Sequence, residues 1–157
     1  MVHRIARVFV ALIMILIFYF SSQVSEKSAE VSSNTTIEIL NIIPKLKDLP
    51  IETKQDIADN IQFVVRKLAH FSIYAALGFF AIMSVSKQHR YIFKYIIIAF
   101  LVCVFYASTD EIHQLFVAGR GCRLVDVGID SLGAGFGFIV FYLLTFIKNK
   151  VLRKKAL

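Results

Sequence analysis

Residues 68–85 read LAHFSIYAALGFFAIMSV, an apolar run with one imidazole, His70, near its start. A helix of that length rises about 27 Å, close to the roughly 30 Å hydrocarbon thickness of a bilayer. Three further runs, Val8–Phe20, Tyr91–Ala107 and Leu132–Ile147, approach the same length once their uncharged flanks are counted. A hydrophobic content of 57% across 157 residues exceeds that of an ordinary soluble domain and leaves room for one compact unit. The expected fold is all-α: a polytopic membrane bundle of four transmembrane helices, with spans at about 8–22, 68–85, 91–108 and 131–147. Residues 1–157 form a single membrane domain on this reading.

Charge sets the orientation. The N-terminus (Arg4, Arg7), the loop Lys87–Lys94 (Lys87, Arg90, Lys94) and the tail (Lys148, Lys150, Arg153, Lys154, Lys155) carry no acidic residue. All 11 acidic residues fall in the two remaining segments, 21–67 and 108–130. Basic loops stay on the cytoplasmic side, so both termini are expected to be cytoplasmic and the mixed-charge segments extracytoplasmic. The net charge of +7 comes from short clusters beside the spans, which suit anionic lipid headgroups. No basic soluble domain with interleaved aromatic residues is present, so nucleic acid is not an expected partner. The first span has the basic start and apolar centre of a secretory signal. It ends in Phe18-Tyr19-Phe20 with no small-x-small cleavage site, and is read as an uncleaved signal-anchor. The expected location is the cell membrane, as a multi-pass integral protein in contact with lipid.

Between the first two spans, residues 23–59 form a polar extracytoplasmic segment in which Pro44 and Pro50 interrupt any long helix. Ile37, Leu40 and Ile43 could make a short amphipathic turn in the headgroups. A helix is expected to begin at Asp59 or Asn60, good capping residues, and to continue into the second span. Cys103 lies within the third span and Cys122 in the outer loop, at depths that disfavour a disulfide. Gly119 and Gly121 permit positive φ in that loop. Gly133 and Gly137 stand four apart on one face of the fourth span, the spacing that lets membrane helices approach closely.

The polar side chains form three sets at the outer ends of three helices. Lys67, His70 and Tyr74 share one face of the second helix. Asp110, His113 and Gln114 share a face at the end of the third, with Glu111 beside them. Asp126 and Asp130 are one turn apart at the start of the fourth, and Arg120 and Arg123 occupy the loop between. Ionisable groups are expensive in a bilayer, about 2.5–3.5 kcal/mol each at the centre on insertion scales, so such groups find partners or serve a site. One reading is a salt-bridge cluster that pins the bundle. Against it stands the company His70 keeps: four carboxylates, a second histidine and three cations.

Three chemistries remain open. His70 or Glu111 could act as general acid or base. His70, Asp110, His113 and Asp126 offer nitrogen and oxygen donors for a divalent metal, but their spacing fits no short ligand motif, so no metal or other cofactor is assigned. Arg120, Arg123 and Lys67 could hold a phosphate or carboxylate.

The order Lys67-Leu68-Ala69-His70-Phe71 with Tyr74 and Gly78, then Asp110-Glu111-Ile112-His113-Gln114, Gly119-Arg120, Asp126 and Gly133-Ala134, resembles the VanZ-like family. Phe20-Ser21-Ser22-Gln23 resembles the N-terminal pattern of that family. One position departs: Asp130 stands where the family pattern more often has Asn, leaving it to be protonated or to pair with Arg123 or Lys67. The resemblance implies a bacterial integral membrane protein of the cell envelope, in a family named for low-level resistance to teicoplanin, a lipid-anchored glycopeptide. It implies no reaction.

Three functions follow as expectations. The first is binding of an amphiphile or lipid-linked precursor at the outer face, with Lys67, Arg120 and Arg123 on an anionic head and His70, Tyr74, Glu111 and Gln114 in polar contact. The second is a membrane-embedded enzyme modifying a lipid or cell-wall intermediate, using Glu111 or His70 as acid or base, with Asp126 as an orienting or metal-binding group. The third is a structural or partner-binding membrane protein.

Overall fold

The computed structural model describes residues 2–86 and 92–155. Among these all the regular secondary structure is helical: α1 (Val2–Ser21), α2 (Ser25–Ile42), α3 (Ile51–Val85), α4 (Ile92–Gln114) and α5 (Leu124–Lys155). Helices α1, α3, α4 and α5 are long and apolar enough to cross a membrane. The basic loop residues Lys87 and Arg90 lie outside the described residues.

Helix α3 touches every other helix, and its pairing with α5 is the most extensive. Glycine is the reason. A Cβ on Gly133 would overlap the carbonyl oxygen of Phe71, and one on Gly137 would overlap that of Ala75. From the other side, a Cβ on Gly78 would overlap the carbonyl oxygen of Ala134. The backbones therefore meet with no side chain between them, as the Gly133/Gly137 spacing predicts. Around this seam lies a core of Tyr74, Leu77, Ile82, Cys103, Ala107 and Phe138, with Ile17 of α1 against it. The outward faces are apolar and exposed, as at Leu12, Phe105, Leu132 and Phe146, which fits contact with lipid chains.

Two expectations about the polar segment are overturned. Residues 25–42 form a full helix, α2, in place of a short amphipathic turn, and α3 begins at Ile51, eight residues before Asp59. The prolines lie between the helices: Pro50 occupies the N-cap of α3, where a missing N–H costs nothing, and Glu52 follows in the first turn, favourably placed against the helix dipole. At 35 residues, α3 is roughly 52 Å long, far more than a bilayer requires. Its excess N-terminal half packs against α2. That contact is polar. Ser33 donates to Asp59 at 3.1 Å, Gln55 donates to Ser33 at 3.0 Å, and the buried Lys54 ammonium donates to Asn41 at 2.7 Å and to the Lys47 carbonyl at 2.5 Å.

The four long helices alternate in direction. His3 of α1 contacts the Met83 carbonyl at 2.9 Å at one end of the bundle, while the last residues of α1 and α4 meet the middle of α3 and the start of α5 at the other. Both free cysteines are where the sequence put them, Cys103 buried and Cys122 exposed.

Candidate functional site

The polar sets do converge. The last turn of α4 places Asp110, Glu111 and Gln114 inside the bundle, all buried. Opposite them, the first turns of α5 supply Asp126 and Asp130, and α3 supplies Arg66, Lys67, His70 and Tyr74. Asp130 is 1% exposed, deeper than any other carboxylate except Glu111.

Each side chain has a distinct engagement. Lys67 pairs with Asp126, and its ammonium lies 5.1 Å from the centre of the Phe63 ring. Glu111 accepts the backbone N–H of Arg123 at 2.9 Å, which holds the residue preceding α5 and satisfies one of the donors that helix cannot bond internally. Arg123 therefore serves through its backbone, and its side chain is exposed. His113 turns away from the other sets. Its ring stacks on Phe18 at 4.7 Å and its Nε2 sits 3.1 Å from the Ser22 hydroxyl, so it fastens α4 to α1. A ligand set containing both His113 and Asp126 is thereby overturned: one faces α1 and the other is taken by Lys67.

A relay runs inward from the loop. Arg120 donates to Gln114 Oε1 at 3.4 Å and to the Phe20 carbonyl at 3.3 Å, and Gln114 donates in turn to Asp110 Oδ2 at 3.2 Å. The loop can reach this position because Gly119 takes φ of +72°, a left-handed value open to glycine, and because Ser25 N–H donates to the Ala118 carbonyl. Gly121 needs no such conformation. Several buried polar atoms nonetheless have no hydrogen-bond partner among the described residues: both oxygens of Asp130, Arg120 Nε, and the hydroxyls of Tyr74 and Ser21. Asp130 pairs with neither Arg123 nor Lys67. Its one ion-pair contact among the described residues is with His70, whose Nδ1 is 3.7 Å from Oδ1. His70, Asp110 and Asp130 can each bring one ligand atom to within 4.8 Å of the other two.

Two cavities adjoin at this end. One, of about 220 Å³, is polar and is walled by Lys67, Gln114, Arg123 and Asp126 among others. The second, of about 320 Å³, has walls of Ile17, Tyr19, Phe20, Val31, Ala69 and Ile73. Arg66, His70 and Arg120 line both. Among the described residues neither arginine forms an ion pair, and burial together with the Arg66 charge pushes Arg120 below the usual arginine value. Arginine nonetheless holds its charge at neutral pH, so Arg120 stays cationic.

Arg66 was not among the residues expected from sequence. It stands one turn before His70, on the strip Arg66, His70, Ile73 that adjoins the face defined by Lys67, His70 and Tyr74. That periodicity was readable; the reason to prefer it was not, because α2 forms part of the apolar cavity. Comparison with family models finds one described as VanZ/LLP1 that matches residues 7–145. No curated protein and no solved structure matches the chain.

Proposed function

The chain belongs to the VanZ/LLP1 family, and from that premise we propose that this multi-pass membrane protein binds an anionic amphiphile at the charged end of its bundle. One observation carries the reading: Arg66 and Arg120 line both a polar and an apolar cavity, with no carboxylate paired to either among the described residues. Two guanidiniums held together and partly dehydrated repel each other, and an anion relieves that repulsion while accepting bidentate hydrogen bonds. The apolar cavity beside them reaches the lower end of the roughly 300–1,000 Å³ range of ligand sites and suits the start of an acyl or prenyl chain. His70 and Gln114 supply polar contacts around the head, and the Lys67–Asp126 pair borders it. The charged end faces outward from the cell membrane, where a lipid-linked cell-wall precursor or a lipid-anchored glycopeptide would be met. Resistance to such a glycopeptide would follow from its capture.

The enzymatic alternative is less well supported. Glu111 is committed to the Arg123 backbone and lines neither cavity, which leaves His70 as the acid or base.

The test uses the full chain in nanodiscs, with polyprenyl pyrophosphate and teicoplanin as probes and phosphatidylcholine as the control amphiphile. Loss of a hydrogen-bonded charge partner is worth about 1.5–3 kcal/mol, so Arg120→Ala or Arg66→Ala should weaken binding about 10- to 100-fold. Equal affinity for both anionic probes and phosphatidylcholine, unchanged in the two variants, would end the proposal.

A further inference from the structure

Asp110 and Asp130 are 4% and 1% exposed and project from facing helices into the same interior space. A buried carboxylate is tolerated when it is paired, hydrogen-bonded or coordinated to a cation. Asp110 has one such bond, from Gln114. Asp130 has none on either oxygen, although it lies in the interior of a bundle. The gap to His70 is informative. At 3.7 Å, Nδ1 and Oδ1 are too far apart for a hydrogen bond, which for a charged donor closes to about 2.7–2.9 Å. Two donors bound at 2.0–2.2 Å to one tetrahedral metal ion stand about 3.4 Å apart. The His70–Asp130 gap is close to that second spacing.

We propose that His70 Nδ1, one oxygen of Asp110 and one oxygen of Asp130 hold a divalent first-row metal ion where α3, α4 and α5 meet. The donors come from three helices, so the site is assembled by the fold and has no counterpart in a short sequence motif. One imidazole and two carboxylates suit Zn²⁺ or Mn²⁺ better than the all-oxygen set preferred by Ca²⁺ or Mg²⁺. Gln114, bonded to Asp110 Oδ2, orients that ligand, as outer-shell partners commonly do. Three protein donors leave coordination positions open. His70 and Gln114 both line the polar cavity, so an open position faces the space assigned above to an anionic head. The metal site stands whether or not that assignment does, because neither arginine is one of its donors and Asp130 bonds to neither.

The experiment takes the tag-free full chain in nanodiscs, strips it with a chelator, and titrates ZnCl₂ or MnCl₂ by calorimetry with thermal unfolding as a second readout. The expected result is one ion per chain and a raised melting temperature. Asp130→Asn and His70→Gln should each weaken binding beyond the roughly 10- to 100-fold that loss of an outer-shell partner costs, and Gln114→Ala should fall within that range. Asn at 130 keeps the shape of a side chain whose oxygens make no hydrogen bond among the described residues, so the stripped variant should melt no lower than the stripped parent. If it fails to fold, Gln114→Ala still decides. Absence of saturable binding by either ion, or binding unchanged in Asp130→Asn and Gln114→Ala, overturns the site.

Discussion

Glu111 and Asp130 are equally buried carboxylates with opposite situations. Glu111 accepts the N–H of Arg123 and so fixes the entry of the chain into α5. An amide oxygen can accept the same bond, whereas removing the acceptor orphans a backbone donor, which costs about 1–3 kcal/mol. Glu111→Gln should therefore fold and bind ligand nearly as the parent does, and Glu111→Ala should lose stability by that amount in denaturant titrations. A Gln variant that folds but loses all function would restore Glu111 as an acid or base. Lys67 and Asp126 provide a second case. Their side chains are only 20% and 16% exposed, so the pair is screened less than a surface ion pair. Substituting both with Ala should cost less than the sum of the single losses, with a coupling of about 0.5–3 kcal/mol. Strict additivity in a double-mutant cycle would mean that the pair contributes nothing.

The glycines make the helices, rather than single side chains, the unit of stability. Gly78, Gly133 and Gly137 face backbone atoms that a Cβ would overlap, whereas Gly128 and Gly135 have nothing within 4 Å of that position. Gly133→Ala and Gly137→Ala should force α3 and α5 apart at a cost of about 1–3 kcal/mol. Gly135→Ala should instead be neutral or stabilising, by up to about 1 kcal/mol, since alanine is the better helix former. Unfolding of all three in one detergent separates the two classes. This helix contact was legible in advance because a four-residue glycine spacing has one geometric meaning in a membrane helix. Helix α2 and the first half of α3 were not. They bury polar faces against each other through Ser33, Gln55, Asp59 and Lys54, so no apolar stripe announces them, and Pro44 and Pro50 punctuate the hairpin without breaking either helix. The same gap hid Arg66, whose importance depends on the cavity α2 helps to enclose. Asp130 was visible as an anomaly, yet its proximity to His70 and Asp110 depends on how three helices rotate against each other, which periodicity within each helix cannot supply.

Across the whole molecule, charge and exposure divide the bundle into two ends. Arg4, Arg7, Lys94, Lys148, Lys150 and Arg153 gather where α1 and α4 begin and α5 finishes. The acidic residues gather at the other end with the cavities. Leu115, Phe116, Leu124 and Val125 are all more than half exposed there, beside the loop that carries Arg120. Exposed apolar loop residues next to a cationic seam suit the boundary between headgroups and hydrocarbon, the level from which an amphiphile would enter. The basic end resists translocation, so the cavity end should face the outside. Cys122 lies in that loop and is exposed, whereas Cys103 is enclosed in the core, so one thiol reports on the orientation without interference from the other. A membrane-impermeant maleimide applied to intact cells should modify the parent and leave Cys122→Ser unlabelled. Labelling that occurs only after the bilayer is opened would invert the bundle, and the cavity would then meet cytoplasmic anions in place of envelope amphiphiles.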